Sequence, residues 1–102
     1  MPTRDGAIAR AHAVFDDGGF QDLLARLVAI PSTSQEPEGA PALRQYLDDA
    51  IRPWLDRLGF ESAIHPNPLP GFGPILTATR IEDPARPTVL LYGHGDTVRG
   101  LE

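Results

Sequence analysis

His94 and Asp96 stand two residues apart in Gly93-His94-Gly95-Asp96, directly after an apolar run. Imidazole is a common zinc ligand. A metal-bound histidine usually donates its other ring N–H to a carboxylate, which fixes the tautomer and makes the ligand more basic. Residues two apart in an extended segment point the same way, so Asp96 can reach the His94 ring. Gly93 and Gly95 carry no side chains and let the backbone turn tightly around the histidine. The preceding Val89-Leu90-Leu91-Tyr92 reads as a buried strand. Sites in open α/β sheets gather at the carboxyl ends of strands, which is where this pair emerges. The alternative is a turn in which Asp96 caps a helix and His94 is only a polar residue after a strand, since short motifs recur by chance.

The other polar candidates have ordinary explanations. His12 falls on a helix surface, and His65 precedes Pro66 at a strand end. Asp16-Asp17 and Asp48-Asp49 read as solvated charge on helix starts or polar faces. Ser32 and Ser34 lack the strand-turn-helix setting of a nucleophile elbow and read as loop and capping residues. Composition narrows the chemistry further. The absence of cysteine excludes a disulfide framework, a thiolate cluster and a cysteine nucleophile. All nine cationic side chains are arginine, which excludes a lysine Schiff base within this segment. A net charge of -5 argues against nucleic-acid binding. No apolar stretch approaches the length of a membrane span, and the first ten residues lack the apolar core of a signal peptide. A cytoplasmic location is the default expectation.

Several elements must position the pair. Residues 7–15 are alanine-rich and suit a short helix, which Asp16-Asp17-Gly18-Gly19 breaks. Phe20, Leu23, Leu24, Leu27 and Val28 recur at helical spacing, and Pro31 ends that amphipathic helix. Residues 32–39 form a polar loop. A further helix starts near Pro41 with Leu43, Tyr46, Leu47, Ala50, Ile51, Trp54, Leu55 and Leu58 as its apolar stripe. Pro53 predicts a kink there, or two shorter helices. Gly59 is placed as the C-terminal cap, with Phe60 folding back on the last turn. Strands are expected over residues 60–65, 75–81 and 88–92, with a proline- and glycine-rich loop over residues 66–74. The order is two main helices followed by three strands, an α/β arrangement whose sheet edge is open to further strands.

The chain resembles a known family in two segments. Leu90-Leu91-Tyr92-Gly93-His94-Gly95-Asp96-Thr97-Val98 is similar to the first metal motif of the zinc-dependent peptidases and deacylases. That family includes carboxypeptidase G, acetylornithine deacetylase, succinyl-diaminopimelate desuccinylase, dipeptidases and aminoacylases. Leu24-Ala25-Arg26-Leu27-Val28-Ala29-Ile30-Pro31-Ser32-Thr33-Ser34 also resembles the family's N-terminal helix-to-loop pattern L-x-x-L-V-x-I-P-S-x-S. The resemblance runs from about Phe20 onward. It implies that His94 is a ligand to one ion of a two-zinc centre, with Co2+ or Mn2+ as alternative metals. It implies that Asp96 is the active-site carboxylate that orients His94. The fold it implies is the N-terminal part of a mixed-sheet zinc-peptidase catalytic domain, with residues 1–102 as one portion of that single domain. The implied substrate is a small peptide or N-acyl amino acid, and the implied full-length protein is a homodimer joined through a lid domain.

A catalytic zinc takes about three protein ligands, and a bridged pair takes more. One histidine and one orienting aspartate fall short, so the expectation is a fragment of a metal-dependent amide hydrolase, inactive in isolation. Two other readings compete with it. Val89-Leu90-Leu91-Tyr92-Gly93-His94-Gly95 also resembles the His-Gly loop that supplies oxyanion donors in α/β-hydrolase serine esterases. That reading leaves Asp96 without a role, and the helical N-terminal half does not suit it. The third reading is a small non-catalytic interaction module.

Overall fold

The computed structural model describes residues 2–98 of the chain. Helix α1 spans Arg4–Asp16 and starts three residues earlier than the alanine-rich stretch alone predicts. The Thr3 hydroxyl accepts the Gly6 N–H at 3.0 Å and caps the extra turn. Gly18, at φ 87°, reverses the chain into helix α2, Gly19–Val28. The rings of Phe15 and Phe20 face each other across this turn with centroids 6.1 Å apart.

After a 3-10 turn at Pro37–Gly39, α3 (Ala40–Gln45), a π-helical segment (Tyr46–Ile51) and α4 (Arg52–Arg57) follow without a break. The irregularity expected from Pro53 is therefore this π segment, placed one turn upstream of the proline. Proline has no N–H for the carbonyl four residues back, and its ring crowds that carbonyl. Widening the preceding turn relieves both problems. The rod ends as the sequence indicates. Gly59 takes φ 81°, Phe60 N–H donates to the Leu55 carbonyl and Gly59 N–H to that of Asp56, both at 3.0 Å. That pair of bonds is a Schellman cap.

Strands β1 (Glu61–His65) and β2 (Ile75–Thr79) pair antiparallel, with Ala63 opposite Thr77. The 66–74 loop joins them. Asn67 braces it, accepting the Leu69 N–H at 2.9 Å and donating to the Gly73 carbonyl at 3.1 Å. The Arg52 guanidinium ties the rod to the hairpin, reaching Ser62 Oγ at 3.2 Å and Asp48 Oδ1 at 3.4 Å. The architecture is thus a mixture of helices with a two-stranded antiparallel sheet, α/β in the general sense. Among the described residues no helix is long and apolar enough to cross a membrane.

The third strand expected over residues 88–92 does not form. This stretch has no ladder partner among the described residues, and Val89, Leu90, Leu91 and Tyr92 are between 77% and 94% exposed. An apolar run states a preference for burial, but a strand needs a neighbour to take its N–H and C=O groups. The β1–β2 hairpin does not supply one. No apolar side chain among the described residues is buried. The accessible surface is 8654 Å², against about 5,600 Å² for a compact folded chain of 11.0 kDa. The Cα radius of gyration is 16.2 Å, where about 13 Å is usual for this length. Apolar faces here stand open rather than sealed against one another.

Candidate functional site

The loop that leaves α2 and the segment that follows residue 92 come together, although more than sixty positions separate them. Pro31 terminates the helical run, and Ser32 N–H closes a tight turn onto the Ile30 carbonyl at 2.8 Å. This presents Ser32, Thr33 and Ser34 in line to the second segment. Thr33 and Thr97 form an isolated parallel bridge. Thr97 N–H donates to the Ser32 carbonyl at 2.9 Å, and Ser32 Oγ donates to the Gly95 carbonyl at 2.9 Å. Ser32 is 1% exposed, the one buried polar side chain among the described residues, and this bond satisfies it.

Two glycines make this docking sterically possible. A Cβ at Gly39 would overlap the Thr33 carbonyl oxygen, and a Cβ at Gly95 would overlap the ring of Tyr46. Gly95 is therefore a close-approach position. Neither Gly93 nor Gly95 has positive φ, and nothing lies within 4 Å of a Cβ at Gly93. Tight turning is not what either glycine provides.

The docked segment carries the predicted pair. His94 Nδ1 and Asp96 Oδ1 are 2.9 Å apart, and Ser34 Oγ donates to Asp96 Oδ2 at 2.6 Å. Each carboxylate oxygen thus has one donor. The Ser34 hydroxyl foremost, and then the His94 ring, hold the Asp96 carboxyl below the usual aspartate range, while slight burial pushes the other way. Asp96 is consequently ionised near neutral pH and accepts at both oxygens. His94 Nδ1 must then donate, which leaves the Nε2 lone pair outward when the ring is neutral. Nε2 has no partner among the described residues, and the side chain is 67% exposed. Zinc-ligating imidazoles are commonly held in this way.

Ser32 and Ser34, read from sequence as loop and capping residues, belong to this constellation. The only sequence signal for them is the L-x-x-L-V-x-I-P-S-x-S resemblance. The remaining candidates stay apart from it. His12 lies exposed on α1, and His65 Nε2 pairs with Thr77 Oγ1 at 2.8 Å across the hairpin. Asp17 accepts the Gly19 N–H, and Asp48 pairs with Arg44 Nε at 2.6 Å. Among the described residues no group of three histidine, cysteine, aspartate or glutamate side chains converges on a metal position.

A groove of about 370 Å³ opens on the Ser34 side, lined by Pro37, Ala40, Leu43, Phe72 and Pro74. A second concavity, at Gly59, Glu61 and Arg80, lies at the opposite end of the hairpin, away from these residues. Comparison with family models, with curated proteins and with solved structures found no match in any of the three.

Proposed function

We propose that this chain is the first portion of the catalytic domain of a zinc-dependent hydrolase acting on peptide or N-acyl amide bonds. The observation that carries the reading is the Asp96–His94 pair, which leaves Nε2 as an outward lone pair beside an ionised carboxylate. The donor chemistry fits a zinc ion with His94 as one ligand and Asp96 as its orienting partner. A serine-esterase loop would have no use for Asp96, so the same hydrogen bond favours the metal reading.

The chemistry such a metal supplies when bound is polarisation of an amide carbonyl and generation of hydroxide near neutral pH. The residues of this chain do the preparatory work. His94 offers one nitrogen in a fixed tautomer. Asp96 keeps the ring proton on Nδ1. The 32–34 loop holds both in place. The groove beside Ser34 lies within the size range of small-ligand pockets.

The other ligands and the proton-handling carboxylate come from polypeptide that packs on the open apolar faces, above all on residues 89–92. The reading therefore expects no hydrolysis and no tight binding of two zinc ions by the 102-residue chain alone. The coding sequence downstream of codon 102 tests it. An aspartate followed by a Glu-Glu pair supports the zinc hydrolase, whereas a Gly-x-Ser-x-Gly motif overturns it in favour of the esterase.

A further inference from the structure

Asp96 meets two donors, and only one of them belongs to the predicted motif. The other is Ser34, whose hydroxyl lies 2.6 Å from Oδ2 while His94 Nδ1 lies 2.9 Å from Oδ1. We infer that Ser34 is a positioning residue for the metal ligand: by holding Oδ2 it turns the Asp96 carboxylate so that Oδ1 keeps the His94 proton on Nδ1.

The geometry around Ser34 supports this role. A carboxylate held at one oxygen can still rotate about its terminal torsion, which is broad and roughly two-fold. A second donor at the other oxygen removes that freedom. Ser34 is itself fixed from behind. Thr33, its neighbour, bridges Thr97, and Ser32 is bonded to the same segment at both its carbonyl and its hydroxyl. The hydroxyl proton is directed at Asp96, so Ser34 acts on the imidazole through the carboxylate. A neutral imidazole has two tautomers, and only the one protonated at Nδ1 presents Nε2 as a ligand here. As a statement about a zinc ligand the inference rests on the hydrolase reading. The hydrogen-bond relay is measurable without metal.

The test uses the metal-free chain, labelled with 15N, at one fixed pH where the ring is neutral and at a concentration where light scattering shows no association. Long-range 1H–15N correlations of His94 give the ratio of its two tautomers, and Thr97 amide exchange reports whether the segment is docked. The parent chain is expected to hold the Nδ1-protonated form with Thr97 protected. Ser34→Ala is expected to lower the ratio about fivefold, the weight of one ordinary hydrogen bond, with Thr97 still protected. Ser34→Thr retains the hydroxyl and is expected to keep the parent ratio.

An unchanged ratio in Ser34→Ala overturns the inference. So does a parent chain protonated at Nε2, or one in which Thr97 is unprotected. Should Ser34→Ala release the segment, Ser34→Thr decides, a parent-like ratio supporting the role and a shifted ratio in a docked segment overturning it. Because zinc is absent, a failed tautomer shift leaves the hydrolase reading standing, and failure of zinc-dependent activity leaves the relay standing.

Discussion

Replacing Gly39 by alanine isolates the contact that holds the 32–34 loop against the helical rod. Gly39 is buried and sits at φ -76°, ψ -11°, a conformation any residue adopts. On backbone entropy alone alanine should stabilise the chain by about 0.4–1 kcal/mol. The added Cβ, however, would overlap the Thr33 carbonyl oxygen and lie 3.2 Å from the Thr33 carbonyl carbon. A backbone carbonyl cannot swing aside as the end of a side chain can, so the loop or the 3-10 turn must move. Overpacking of this kind costs about 1–3 kcal/mol. Moving the loop also weakens the Thr97–Ser32 and Ser32–Gly95 hydrogen bonds, worth about 1 kcal/mol each. The steric and hydrogen-bond losses outweigh the entropic gain, leaving a net loss of about 2 kcal/mol, or roughly thirtyfold in the docked population. Amide hydrogen exchange at Thr97 reads this directly, with Gly93→Ala as the control because its Cβ meets nothing. Exchange at the parent rate in Gly39→Ala would refute the steric argument, as would an equal change in the control.

Two further outcomes follow from the same structure. Hydrogen bonding from Arg44 above all, aided by Arg52, lowers the Asp48 pKa against a smaller opposing effect of burial. A lowered folded-state pKa contributes stability above the unfolded aspartate value of about 3.9, and that stability is lost as pH falls through the lowered value. Helicity followed by circular dichroism should therefore drop on acidification below about pH 4, and Asp48→Asn should remove this part of the acid response; an identical acid profile in the variant would contradict the assignment. The exposed run Val89, Leu90, Leu91 and Tyr92 should drive self-association of the 102-residue chain. Light scattering should show it reduced in a Leu90→Lys, Leu91→Glu variant, and a parent chain that stays monodisperse at the same concentration would speak against this exposed apolar run as an association surface.

Local chemistry was legible in the sequence. Gly59 and Phe60 form the cap their order suggests, Pro53 disturbs its helix, and the 66–74 loop joins two strands, because neighbouring residues decide each of these outcomes. The His94–Asp96 hydrogen bond was readable for the same reason, since two-residue spacing in an extended chain brings the side chains together. The contacts of Ser32 and Ser34 were not readable from spacing, because their partners lie more than sixty residues away. A polar loop and a docked polar loop have the same local sequence. The constraint on Gly95 comes from Tyr46 on a different element, which its own neighbours do not encode. The 88–92 stretch carries a strong preference for burial, yet whether it becomes a strand depends on a neighbour that no local pattern encodes.

The central claim is that His94 ligates a catalytic zinc and Asp96 orients it. Its most direct measurement is amide hydrolysis by the full-length gene product on dipeptide and N-acyl amino acid substrates, compared with its His94→Ala and Asp96→Asn variants before and after chelation. The account predicts activity that chelation abolishes and zinc restores. Asp96→Asn should lose about 10–100-fold, the usual effect of removing a carboxylate that orients a ligand, and His94→Ala should lose more. Activity that survives chelation, or a His94→Ala variant as active as the parent, would contradict it.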